Sequence, residues 1–176
     1  MNKKYLTAIA CVAMIAPLTS CLKGESDDYE AWREQNDAYI ASIDTKEYEL
    51  VVPDWAPRNS VYIKWHNDRA LTADNLVAMS NSTVELKYEV EDIEGTMIDN
   101  SYSASTGDSL YVKQPNNTVV GFWIALTTMH VGDSATLIIP YASGYGAGMN
   151  NNVRPYTNLI YRVKIKGIRA YEKPNT

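Results

Sequence analysis

The sequence predicts an α+β fold in which one short apolar helix lies against a sheet. Three stretches carry that expectation. Phe122, Ala125, Leu126 and Met129 recur at spacings of three and four, the pattern of a helix with a buried face. Val84, Leu86, Tyr88 and Val90 alternate with Glu85, Lys87, Glu89 and Glu91. Leu159, Tyr161, Val163 and Ile165 alternate with Ile160, Arg162, Lys164 and Lys166 in the same way. Successive side chains of a strand point to opposite faces, so both runs are strands that direct Tyr88 and Tyr161 into the core.

At the N-terminus, Asn2-Lys3-Lys4 is a positive segment, and Tyr5 to Leu18 is an apolar run too short for a comfortable transmembrane helix. Residues 1–20 therefore read as a signal peptide. Leu18-Thr19-Ser20-Cys21 resembles the bacterial lipobox, in which the cysteine is lipidated and becomes the new N-terminus; the plainer alternative is an ordinary signal peptide with an incidental cysteine. On the lipobox reading Cys11 leaves with the signal and Cys21 carries lipid, so no thiol remains for a disulfide, a metal or catalysis. Loss of Lys3 and Lys4 takes the formal charge from −5 to −7. Such a chain offers no basic field for nucleic acid or anionic lipid. Residues 21–28 then form an acidic tether, Glu25-Ser26-Asp27-Asp28 at its end. It resembles the surface-export signal of some Gram-negative lipoproteins and equally suits a solvated linker. The expected location is the cell envelope of a Gram-negative bacterium, lipid-anchored at the outer membrane and either periplasmic or surface-exposed.

Asp27 with Glu30 three residues on is a capping-box pattern. Tyr29, Trp32, Asn36, Tyr39, Ile40 and Ile43 then mark one face of a helix ending near Asp44, a face suited to docking on the main domain or on a second copy. Strands are expected at Tyr48 to Val52 and Ser60 to Trp65, around the Pro-rich turn Pro53 to Pro57. Asn67 to Ser82 is polar and reads as a loop with one helical turn at most. Gly95 turns the chain, Met97-Ile98-Asp99 starts an extended piece, and Ser109 to Lys113 is a further strand. Gly121 opens the apolar helix, Val131-Gly132-Asp133 is a turn, and Ala135 to Ile139 is a buried strand that Pro140 stops.

Most familiar catalytic chemistry is missing. His66 and His130 lack metal-ligand spacing, so no metal site is expected. No Gly-x-Ser-x-Gly elbow or glycine-rich phosphate loop is present, and the paired carboxylates around Glu91 sit on a solvated edge. No cofactor is expected. What remains is an apolar cavity rich in tyrosine, drawn from a chain with 13 tyrosines and the single phenylalanine Phe122.

At this point the chain resembles the FKBP family of peptidyl-prolyl cis–trans isomerases, in a bacterial lipoprotein form. The likeness runs from about Thr83 to Ile168, with its pieces in the family's order. They are Val84 to Tyr88, Gly95-Thr96-Met97-Ile98-Asp99-Asn100-Ser101, Val119-Val120-Gly121-Phe122, Ala125 to Gly132, Ile139-Pro140 to Tyr145-Gly146, and Leu159 to Val163. The resemblance implies an antiparallel sheet wrapped around the short central helix, with the extra N-terminal helix outside it. The organisation is then signal peptide 1–20, tether 21–28, N-terminal helix and extension 29–82, and FKBP-like domain 83–172. It further implies that Tyr88, Asp99 and Tyr145 carry catalysis, and that Ile98, Val119, Phe122 and Tyr161 bind substrate. Tyr145 would donate its hydroxyl to a substrate carbonyl, the Val119 N–H would hold the peptide, and Asp99 would orient the pocket by bonding Tyr88. The implied partners are proline-containing polypeptides, together with the membrane through the lipid; oligomeric state is not implied. The family usually floors this pocket with an indole and walls it with phenylalanine, where this chain has Phe122 and Ile98. A non-catalytic FKBP-like peptide-binding or chaperone module is the alternative.

Overall fold

In the computed structural model, residues 25–102, 109–150 and 153–170 are described. Cys21, the signal peptide and the start of the tether lie outside them. Helix α1 spans Glu25–Ala41. Seven strands follow: β1 Glu49–Val51, β2 Val61–Trp65, β3 Thr83–Glu91, β4 Met97–Asn100, β5 Tyr111–Lys113, β6 Ser134–Ile139 and β7 Leu159–Ala170. Helix α2, Val120–Thr128, sits between β5 and β6. The strands form one antiparallel sheet in the order β1-β2-β6-β7-β3-β4, with β5 also paired to β3.

Alternation sets the core. Val84, Leu86, Tyr88 and Val90 from β3 face inward with Leu159, Tyr161, Val163 and Ile165 from β7. Leu137 and Ile139 from β6 and Val61 and Ile63 from β2 extend the same face. Each such side chain stabilises the fold by about 1.5–3 kcal/mol through apolar burial. Helix α2 closes the sheet, burying Phe122, Ile124, Ala125 and Leu126, with Met129 at its C-cap. Gly121 lets it come close: a Cβ there would lie 2.3 Å from Ile139 Cγ2.

The structure adds to or departs from the sequence expectations in four places. First, the sheet does not begin at residue 83. Strand β2 pairs with β6 and buries Val61 and Ile63, so the extension supplies part of the core. Second, the polar segment 67–82 contains a 3₁₀ turn, Arg69–Leu71, and then straps the far side of α2. Ala78 joins the core, and the Trp123 indole donates to Ser80 Oγ at 3.2 Å. Helix α2 is buried at Ile124 as well as along its expected stripe.

Third, α1 starts at Glu25 and ends at Ala41, so the tether is shorter than residues 21–28 and Asp27 falls within the helix. Acidic residue types suit a first helical turn, where they complement the helix dipole. Fourth, Ile160 is buried although it sits on the outer face of β7, beside the equally buried Ile138. Helix α1 is docked at this end of the strand. Its Trp32 Nε1 donates to Thr157 Oγ1 at 3.0 Å, and Asn36 Oδ1 accepts from the Asn158 N–H at 2.8 Å. Trp32 and Asn36 of the α1 stripe are therefore docked on the chain's own fold.

Candidate active site

A cavity of about 390 Å³ opens between β3, β4, β5, β7 and the N-terminal end of α2. Strand alternation delivers Tyr88 and Tyr161 to it, and the first turn of α2 delivers Phe122. These three rings form its floor. Phe122 stacks on Tyr161 with centroids 4.4 Å apart and planes 16° from parallel. Tyr88 lies 5.9 Å from Tyr161 and 6.3 Å from Phe122. Such contacts add about 0.5–1.5 kcal/mol each beyond burial and hold the rings in fixed positions.

Tyr145 enters from the loop after β6. Pro140 ends that strand, a 3₁₀ turn follows at Tyr141–Ser143, and Gly146 adopts φ 75°, which a side chain would resist. Val119 is the N-cap of α2 and lines the cavity, and no side chain caps the helix there. The first N–H groups of α2 are thus left without a side-chain acceptor.

Asp99 lies on the short strand β4, opposite Val90. Its Oδ2 accepts from the Tyr88 hydroxyl at 2.5 Å, and its Oδ1 accepts from the Asn100 N–H at 2.8 Å. Burial, and then the bond to Asp99, push the Tyr88 phenol far above its ordinary range. Burial also raises Tyr161, with Tyr145 and Asp99 adding to it, and raises Tyr145, with Asp99 and Tyr111 adding to it. All three phenols are therefore kept protonated, as neutral hydrogen-bond donors.

Six of the seven residues expected from the sequence line this cavity: Tyr88, Asp99, Val119, Phe122, Tyr145 and Tyr161. Ile98 does not. It packs against the edge of the core and lines a separate hollow of about 300 Å³ with Val153 and Arg154. Neighbours on a strand face opposite ways, so the register that brings Asp99 into the cavity takes Ile98 out of it.

Tyr111 and Lys113 line the cavity too, as do Asn117, Thr118 and Asn150, none of which the sequence reading singled out. Tyr111 meets Tyr88 edge-on at 5.1 Å. A strand of three residues is too short for alternation to reveal its inner face, and its place depends on pairing with distant Val84 to Leu86. The wall that Ile98 leaves open is supplied by Tyr111.

The chemistry available here is non-covalent. A ring-floored cavity with a polar rim carries one carboxylate held by a phenol, the lysine Lys113, neutral hydroxyl donors and a helix end without a side-chain cap. It can desolvate a small ring and hold flanking amides.

Comparisons with known proteins place this arrangement. The crystal structure of a peptidyl-prolyl cis-trans isomerase from Pseudomonas syringae pv. tomato superposes with a TM-score of 0.61 at 17% identity, covering 82% of this chain and 96% of that one. FkpA from Escherichia coli superposes with a TM-score of 0.60 at 17% identity, covering 81% of this chain and 60% of that one. No curated protein sequence matches the chain significantly. The family profile for FKBP-type peptidyl-prolyl cis-trans isomerases matches residues 76–166, just over half of the 176 residues. That span contains the central helix, strands β3 to β6 with most of β7, and every ring of the cavity floor. The chain belongs to the FKBP-type peptidyl-prolyl cis-trans isomerase family.

Proposed function

We propose that this chain isomerises X-Pro bonds of exported or envelope proteins from a lipid anchor at Cys21. The observation that carries the reading is the convergence of Tyr88, Asp99, Val119, Phe122, Tyr145 and Tyr161 on one cavity. An X-Pro amide turns slowly because losing planarity costs about 18–20 kcal/mol. The twisted amide has lost resonance and charge separation, so it is less water-loving than the planar one. A proline ring seated on Phe122 and Tyr161 leaves water behind, and the cavity favours the twisted form. Each factor of ten in rate needs about 1.4 kcal/mol of that preference. Tyr145, 36% exposed at the rim, is placed to donate to a substrate carbonyl. The Val119 N–H holds the adjoining peptide, and Asp99 keeps the Tyr88 ring in place.

A cis–trans exchange assay on X-Pro peptides, run on wild type beside Tyr145→Phe, tests this directly. Turnover that falls in the variant supports the assignment, whereas turnover equal in both removes Tyr145 from it. A second reading, a peptide-binding module without catalysis, draws support from Phe122 in place of the family's usual indole and from Ile98 lying outside the cavity. Tight peptide binding with no turnover would select it. The anchor is tested separately: Cys21→Ser should move the protein from the membrane to the soluble fraction.

A further inference from the structure

The cavity carries a cation that the isomerisation chemistry does not use. Strand β5 exposes Val112 at 37% and half-buries Tyr111 and Lys113, so alternation puts those two on the cavity face. Lys113 is the one lysine or arginine among the described residues lining it. The carboxylate nearest in function, Asp99, already accepts from Tyr88 and from the Asn100 N–H. Among the described residues the Lys113 ammonium has no carboxylate partner, whereas Lys64, Arg162 and Arg169 of the sheet pair with Glu47, Glu89, Glu91 and Glu85. An ammonium without a carboxylate partner, on a half-buried residue lining the cavity, attracts an anion brought in by whatever binds there.

We propose that Lys113 makes this a site for proline peptides with an acidic side chain next to the proline. The proposal rests on the cavity being the peptide site. The whole chain is acidic, with a formal charge of −5, so its overall field works against acidic peptides. A preference for them has to come from a local cation, and Lys113 is placed to supply it. A partly exposed ion pair of this kind is worth about a two- to five-fold preference.

The test uses the full chain in mild detergent and pairs of X-Pro peptides that differ only in Glu or Gln beside the proline, on either side. Both kcat/KM for isomerisation and peptide affinity are measured at low and high salt. The expected result is a two- to five-fold advantage for Glu over Gln at one position, shrinking with salt. The Glu/Gln ratio should fall to one in Lys113→Met, persist in Lys113→Arg, and reverse in favour of Lys-containing peptides in Lys113→Glu. Equal values for Glu and Gln peptides at both positions would overturn the proposal, and so would a preference that survives Lys113→Met. Turnover of Gln peptides without a Glu advantage would leave the isomerase standing and remove only the role of Lys113. No turnover of any peptide would remove the isomerase, and the affinity ratio would then decide the role of Lys113 by the same criteria.

Discussion

Asn36 and Asn158, 122 residues apart, clasp each other through both side chain and backbone. The Asn158 N–H donates to Asn36 Oδ1 at 2.8 Å, and Asn158 Nδ2 donates to the Asn36 carbonyl at 2.7 Å. Both residues are fully buried. Asn158 Oδ1 in turn accepts from the Tyr141 N–H at 2.8 Å, and the Tyr141 carbonyl accepts from the Gly146 N–H. Helix α1 is thereby linked, bond by bond, to the loop that carries Tyr145.

Removing that clasp should cost stability and loosen the rim together. Asn36→Ala strands the buried Asn158 N–H, a loss of about 1–3 kcal/mol. Urea unfolding should report that loss, and hydrogen exchange should rise at Gly144 and Gly146 ahead of the core strands. Protection unchanged at those two glycines would show that α1 does not brace the loop.

Asp99 and Tyr88 allow activity and stability to be separated. Asp99 is exposed at the sheet edge, so Asp99→Ala should lower peptide turnover several-fold while shifting the melting temperature little. Because burial raises the Tyr88 and Tyr145 phenols above 10, neither ionises below that pH. Turnover should therefore show no alkaline limb between pH 8 and about pH 10. Stability that depends on these protonated phenols is fully present below pH 10 and is lost only as pH climbs toward their raised values. A decline in activity centred near pH 9 would contradict the neutral-donor picture.

Gly121 tests how closely the helix must approach the sheet. In Gly121→Ala the new methyl would meet Ile139 Cγ2, which is itself fully buried and has nowhere to move. Overpacking of this sort costs about 1–3 kcal/mol, against which alanine's better helix propensity returns about 1. A melting temperature below wild type is expected, and a rise would mean that the helix can shift outward freely.

These relationships also mark what could be read without a structure. Alternation named the inward faces of β3 and β7 correctly because each is long and has a polar outer face. Helical spacing likewise put Phe122 on a buried face; that Tyr88, Tyr161, Phe122 and Val119 share one cavity was implied by the resemblance to the FKBP family. The stripe on α1 was equally legible, Trp32 and Asn36 being its two buried members. Tyr111 and Lys113 were not, because their role comes from pairing across the chain and not from any local pattern. Ile98 was carried over from the family's pattern together with its neighbour Asp99, and only Asp99 lines the cavity, because adjacent residues of a strand face opposite ways. The strap 67–82 has no periodicity at all; its order comes from contacts with α2 and with the turn after it.

That turn holds the last prediction. Asp133 is completely buried, and its carboxylate accepts from Thr72 Oγ1 at 2.5 Å, Asn67 Nδ2 at 3.0 Å and the His130 N–H at 2.8 Å. Arg69 Nε stands 3.1 Å from Oδ2 as an ion pair, its N–H not aligned for a hydrogen bond. Burial alone would raise this carboxyl, but the bonds from Thr72, His130 and Asn67, with the charge of Arg69, together outweigh it and hold it below its ordinary 3.8. A carboxyl lowered by folding contributes stability that is present above pH 3.8 and disappears as pH falls through the lowered value. Wild type should thus lose stability steeply in acid. Asp133→Ala removes the hub, strips the His130 N–H of its acceptor and takes away the carboxylate partner of Arg69, a cost of about 3–5 kcal/mol near neutral pH. Asp133→Asn keeps the shape and loses the charge, so its unfolding free energy should start lower and fall less between pH 5 and about pH 2. Parallel acid profiles for wild type and Asp133→Asn would show that the strap is held by hydrogen bonds alone.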